Sequence, residues 1–220
     1  MGIVTKRRDN APIVKYVFGN LINKLMYDRD LSKTKEWLEY ILGRIVNGEE
    51  HMSMFILSKT LNSYYKNPEG IAHKVLADRM AKRDSGNKPA VGSRIPFVYI
   101  KTKKKVKLQG DRVEHPAYIK KMNLKPDYSF YITNQIMKPV MQIFNLVLEQ
   151  MTLFKQTKKH IIYQQKLSKL TIKYKNDSKK LEAKTVKLRD DFVKEIVFND
   201  SLRISNNNKS GQRSITSFFK

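Results

Sequence analysis

The sequence predicts a mainly α-helical α+β fold with a few short strands, followed by a basic helical extension and a flexible tail. Three observations carry this. Apolar residues recur at steps of three and four over long stretches, the spacing of one buried helical face. Only short runs have strand character. Beyond about Phe154 the apolar pattern loosens and lysines crowd in.

The elements follow in order. Ile13, Val14, Val17, Phe18, Leu21, Ile22, Leu25 and Met26 form one helical face. A second helix follows Asp30, a suitable N-cap, with Trp37, Leu38, Ile41, Leu42, Ile45 and Val46 in phase and Gly48 just past its end. The two read as an antiparallel pair. Met54 to Leu57 is apolar and short enough for a strand, and Pro68 to Arg83 reads as a proline-started helix burying Ala72, Val75, Leu76 and Met80. Asp84 to Asn87 has turn chemistry. Arg94 to Ile100 is a strand candidate in which Pro96, lacking an N–H, points to an edge or entry position. The stretch Asp127 to Met151 contains Pro139 and reads as two helices or one kinked helix. Residues 155–204 keep a loose helical pattern, and Ser205 to Gly211 has nothing apolar to bury, so it reads as a linker.

Charge narrows the function. The 220 residues carry 44 Lys+Arg against 20 Asp+Glu, a net charge of +24. Such an excess repels itself in a compact state and is neutralised best by a polyanion, with nucleic acid first and an anionic membrane second. No run approaches the roughly 18–20 apolar residues of a spanning helix. With no cysteine there is no disulfide, thiolate metal site or cysteine nucleophile, and the four histidines are not spaced to share a helical turn. The amino terminus lacks a signal-peptide core, which places the protein inside the cell.

Five blocks carry a resemblance. They are Met1 to Pro12 with its Lys6-Arg7-Arg8-Asp9-Asn10 run, Ser58-Lys59-Thr60-Leu61, Ala77 to Asp84, Val91 to Val98, and Asp127 to Pro139. In this order the chain resembles the end of the palm and the thumb of family B DNA polymerases, similar to delta-type and large-DNA-virus replicative enzymes. The resemblance implies a palm remnant at 1–14, a thumb at 15–154, the helical extension at 155–204 and a flexible tail at 205–220. It implies a nuclear or viral replication site. It also implies Mg2+ for the complete polymerase but no cofactor in this chain, because the family's metal-binding aspartates, fingers and exonuclease lie upstream.

The residue reading agrees. No close Asp-x-Asp pair occurs, as a two-metal site would need. Asp190-Asp191 beside Arg189 reads as a solvated helix face. Asp111, Glu114 and His115 could be imagined as ligands, but a Gly-initiated, Pro-terminated surface turn accounts for them. The chain therefore presents no catalytic residues and no metal site, and alone it is expected to be inactive.

Gripping duplex without reading its sequence calls for cations aimed at phosphates. The candidates are Lys6, Arg7, Arg8, Lys59, Arg79, Lys82, Arg83, Arg94, Lys101, Lys103, Lys104, Lys105, Lys107 and Lys138. At the end of the chain, Gln212, Ile215, Phe218 and Phe219 have the spacing of a sliding-clamp-binding peptide, with the apolar three on one side of a tight helical turn. The expected partners are primer-template DNA, a sliding clamp and the palm, fingers and exonuclease of the polymerase. The rival readings are a stand-alone accessory DNA-binding protein and a polymerase-subunit interaction domain.

Overall fold

The computed structural model describes residues 4–102, 106–150 and 155–210, with backbone alone at 205 and 207–210. It is predominantly helical with one three-stranded antiparallel sheet. Two compact units emerge: residues 1–16 with 50–131, and residues 17–49 with 132–220.

The first unit is built on the sheet. Strands β1 (Leu57–Thr60), β2 (Arg94–Tyr99) and β3 (Val113–Glu114) pair in the order β1-β2-β3. Leu57 faces Phe97 and Lys59 faces Ile95, so one face buries Leu57, Ile95 and Phe97. Pro96, expected at an edge or entry position, is the third residue of β2, and β2 is the middle strand. The proline is tolerated because β3 pairs only with Val98 and Tyr99, leaving β2 with one partner at Pro96. Phe55 and Tyr131 meet edge to face at 5.0 Å, and Tyr99 stacks on Phe130 at 3.6 Å. The Tyr131 hydroxyl donates to Phe55 O at 2.7 Å and accepts from Tyr99 N–H at 2.9 Å.

Three further expectations are corrected here. Met52–Phe55 is a tight 3-10 turn, begun by Ser53 N–H donating to His51 Nδ1, and the strand starts only at Leu57 where β2 offers a partner. Pro68–Gly70 is a separate 3-10 turn capped by Asn67, and helix α3 runs Ala72–Arg83. The Gly110–Pro116 segment is not a surface turn. Gly110, Val113 and Glu114 are buried, and a Cβ on Gly110 would lie 2.6 Å from Val75 Cβ, so only glycine lets α3 approach the 3-10 turn Gln109–Arg112. Helix α4 (Pro116–Lys121) follows, with His115 Nδ1 accepting from Ala117 N–H at its start.

Helix α1 (Pro12–Asn23) buries Ile13, Val14, Val17 and Leu21 of the expected face and ends in a π-helical turn at Lys24–Asp28, which leaves Met26, expected on that face, exposed. In the second unit, α2 (Leu31–Asn47) starts and stops as predicted. Asp30 accepts from Ser32 and Lys33 N–H at 3.0 Å, and Gly48 at φ 75° donates to Ile45 O. The stretch around Pro139 becomes α5 (Tyr128–Phe130), a π-helical turn (Tyr131–Ile136) and α6 (Met137–Val147).

The lysine-rich extension is packed structure. Helices α7 (Lys158–Lys173) and α8 (Ser178–Val193) form a hairpin, and α8 also packs on α6. A π-helical turn (Lys194–Phe198) leads to α9 (Asn199–Ser210), which lies along α2. Tyr163 is fully buried, donates to Glu149 at 3.0 Å and lies 3.3 Å from Arg189 Nε, while Arg189 pairs with Glu149 at 3.1 Å. Helix α9 thus runs through residues 205–210 of the expected linker.

Candidate nucleic-acid interface

The first unit sorts its cations into neutralised and available ones. Residues 4–10 form a turn closed by Asn10 Nδ2 donating to Val4 O at 3.0 Å. Within it Asp9 accepts both Arg7 Nε and Nη2 at 3.1 Å, and from across the chain Lys59 Nζ at 3.0 Å. The hydrogen bonds from Arg7, then Lys59, hold the Asp9 carboxyl well below the usual carboxylate range, and Asp9 in turn raises Arg7. Asp9 therefore draws the basic turn against β1, while Lys6 and Arg8 stay exposed beside it.

Arg94 is exposed yet oriented, because Nε donates to Ser58 Oγ at 3.0 Å and Nη2 to Ser58 O at 2.7 Å. A guanidinium has five N–H donors, so it keeps donor capacity for a phosphate. Lys82, Lys101 and Lys107 are exposed on the same unit, and Lys138 is exposed on α6 of the second.

Two candidates are committed to internal structure. Glu114 is only 4% exposed and accepts both Nη groups of Arg83, at 3.0 and 2.8 Å. Arg79 Nε lies 3.1 Å from the same carboxylate, an ion pair outside hydrogen-bond alignment, and its Nη2 donates to Gly110 O at 3.0 Å. The Arg83 guanidinium lies 3.7 Å over Tyr118, and the bond to Glu114 raises its pKa. The sequence puts Arg79 and Arg83 among the candidates for DNA phosphates; their carboxylate partner lies more than thirty residues away, beyond any local pattern. Arg112 is neutralised likewise by Asp127 at 2.9 Å.

Near Lys59, His73 Nε2 lies 3.0 Å from the Tyr65 hydroxyl, and its ring faces Phe97 at 6.5 Å. Burial pushes the His73 imidazole down, and it does the same to His115. Of the paired acids, Asp190 accepts from Asn145 Nδ2 and Asp191 is exposed. Among the described residues no group of three or more His, Asp or Glu could hold a metal ion, so they do not fit a two-metal centre. No helix among them is long and apolar enough to cross a membrane. Lys103, Lys104, Lys105, Gln212, Ile215, Phe218 and Phe219 lie outside the described residues.

The arrangement is a helical module with a small sheet whose spare charge is cationic. A profile of DNA polymerase family B matches residues 1–147. The chain is 52% identical over 170 residues to a DNA polymerase of Acanthamoeba polyphaga mimivirus, covering 75% of this chain and 10% of the relative. It is 45% identical over 221 residues to a DNA polymerase of Pyramimonas orientalis virus, covering all of this chain and 18% of the relative. The DNA polymerase delta catalytic subunit of Schizosaccharomyces pombe is 35% identical over 151 residues, 67% of this chain and 13% of that one. A solved family B DNA polymerase from Pyrobaculum calidifontis superposes with a TM-score of 0.50 at 19% identity, over 61% of this chain and 18% of that chain, and so shares the fold.

The chain belongs to DNA polymerase family B. It spans less than a fifth of the length of these relatives.

Proposed function

We propose that this chain is the thumb-containing part of a replicative family B DNA polymerase, holding primer-template duplex through its phosphates. The observation that carries this reading is the set of exposed cations left inside the family-matched segment once Glu114, Asp127 and Asp9 have taken their partners. Lys6, Arg8, Lys82, Arg94 and Lys107 remain on its surface. Such contacts fix position without reading bases. The nucleotidyl transfer and its Mg2+ ions belong to other parts of the polymerase. The Gln212, Ile215, Phe218 and Phe219 peptide tethers the enzyme to a sliding clamp, supported by its residue spacing.

The test is binding of the whole chain to duplexes of unrelated sequence across a salt series. The expected result is equal affinity for all sequences and a steep salt dependence, close to 0.9 in slope per phosphate contact. Replacing Lys103, Lys104 and Lys105 by Glu weakens all sequences alike and flattens the slope. Binding that survives high salt or selects one sequence removes this reading.

A further inference from the structure

Helices α7 and α8 lie beyond the family-matched segment, and their lysines are unevenly placed. Helix α7 has five lysines and no carboxylate. Buried Tyr163 and half-buried Leu167 and Leu170 mark its inward face, as Leu181, Leu188 and buried Phe192 mark that of α8. The helices are antiparallel, with the Tyr163 and Phe192 rings 5.3 Å apart.

At 3.6 residues per turn, counted from Tyr163, Lys173 sits about 80°, Lys169 about 120° and Lys158 about 140° from the inward face of α7, all in one rotational sense. Lys180, Lys184 and Lys187 sit about a quarter-turn from that of α8, in the same rotational sense about their own axis. Because the helices run in opposite directions, equal rotations bring both rows to one side of the hairpin. All six lysines are exposed. Lys166 falls in the α7 row as well, with its Nζ 5.4 Å from the Phe192 ring. Lys180 is paired with Asp177, whereas Lys158, Lys169, Lys184 and Lys187 have no carboxylate partner among the described residues. On α8, Asp191 is the acid that shares this side by helical position.

We infer that the α7–α8 hairpin is a second DNA-binding surface, which takes the phosphate backbones of duplex DNA on its two lysine rows. The α7 row extends for roughly 22 Å, fifteen residues at 1.5 Å each. Packed helices stand about 8–10 Å apart, so the rows can straddle a groove and reach a backbone on either side. A single strand offers only one line of phosphates. A membrane is disfavoured, since by helical position Ile162 is a single exposed apolar residue among the α7 lysines and not part of a continuous apolar stripe. The inference rests on the polymerase reading for its partner but uses different residues.

The test changes Lys158, Lys169, Lys184 and Lys187 together to Gln in the full chain. Binding is measured by fluorescence anisotropy to a labelled duplex and to a single strand of equal length. If each lysine meets one phosphate, the slope of log affinity against log salt for duplex falls by roughly 3–4, and affinity drops at least about tenfold at 0.1 M salt. Circular dichroism of the variant should match that of the parent, because the four side chains are exposed. Unchanged duplex binding, alongside weakening by the Lys103, Lys104 and Lys105 change, overturns the hairpin surface and leaves the thumb-like grip. Insensitivity to both changes overturns both. A loss confined to single strands, or a loss seen only on phosphatidylserine vesicles, assigns the rows to another partner and also overturns the inference.

Discussion

Arg83 and Glu114 form a two-bond ion pair, at 2.8 and 3.0 Å, that fastens the end of α3 to β3. Because the same carboxylate faces Arg79, removing it strands two guanidinium groups, whereas removing Arg83 leaves the acid a partner. Glu114→Gln should therefore destabilise by about 2–3 kcal/mol, less than for a wholly buried pair since both arginines are part-exposed. Arg83→Met should cost less. Urea unfolding of the two variants checks the order, and equal or reversed losses contradict it.

Tyr131 bridges two backbone groups in the core of the first unit. Tyr131→Phe leaves Phe55 O and Tyr99 N–H buried without that partner, at a cost of about 2–4 kcal/mol. Thermal unfolding measures it. A loss below about 1 kcal/mol would show that water or a backbone shift replaces the hydroxyl.

Burial depresses His73 and His115, which links stability to pH. The unfolded imidazoles take up a proton near 6.5, and the folded ones only at lower pH. Their contribution is thus complete above about pH 6.5 and is lost as pH falls toward the folded values. The carboxylates held low by their partners act in a more acidic range. The expected result is a lower Tm at pH 5.5 than at pH 7.5, with a smaller difference in His73→Gln. An unchanged difference in that variant removes His73 as a source.

On the proposed reading, in which nucleotidyl transfer belongs to other parts of the polymerase, the purified chain should show no templated primer extension, because positively charged side chains cannot replace the charge stabilisation that bound metal ions give. Extension assays with Mg2+ check this. Activity from the chain alone refutes it, and activity restored by a palm-bearing chain supports the part-enzyme reading.

A peptide of residues 206–220 should bind a cognate ring clamp with a Kd on the order of micromolar, limited by the ordering of a short segment. Burying a phenylalanine contributes about 1.5–3 kcal/mol, so replacing Phe218 and Phe219 by Ala should weaken binding at least about a hundredfold. Gln212→Ala should cost about 1 kcal/mol. Calorimetry decides, and equal binding by the double-alanine peptide removes the clamp assignment.

The sequence by itself determined the helical faces of α1 and α2, the Asp30 and Gly48 ends of α2, the excess of cations and the five ordered blocks of the polymerase family. Caps and helical faces are legible because the groups involved lie within about four residues of one another. Only the tertiary structure decided which charges are spent. Glu114 claims Arg79 and Arg83, Asp9 claims Arg7 and Lys59, and Pro96 occupies a middle strand because β3 is too short to reach it. The lysines of α7 and α8 read as a diffuse basic run in the sequence; the antiparallel turn between the helices brings Lys158, Lys169, Lys173, Lys180, Lys184 and Lys187 to one side. Such pairings depend on contacts between distant segments, which burial of the shared core selects and no local spacing encodes.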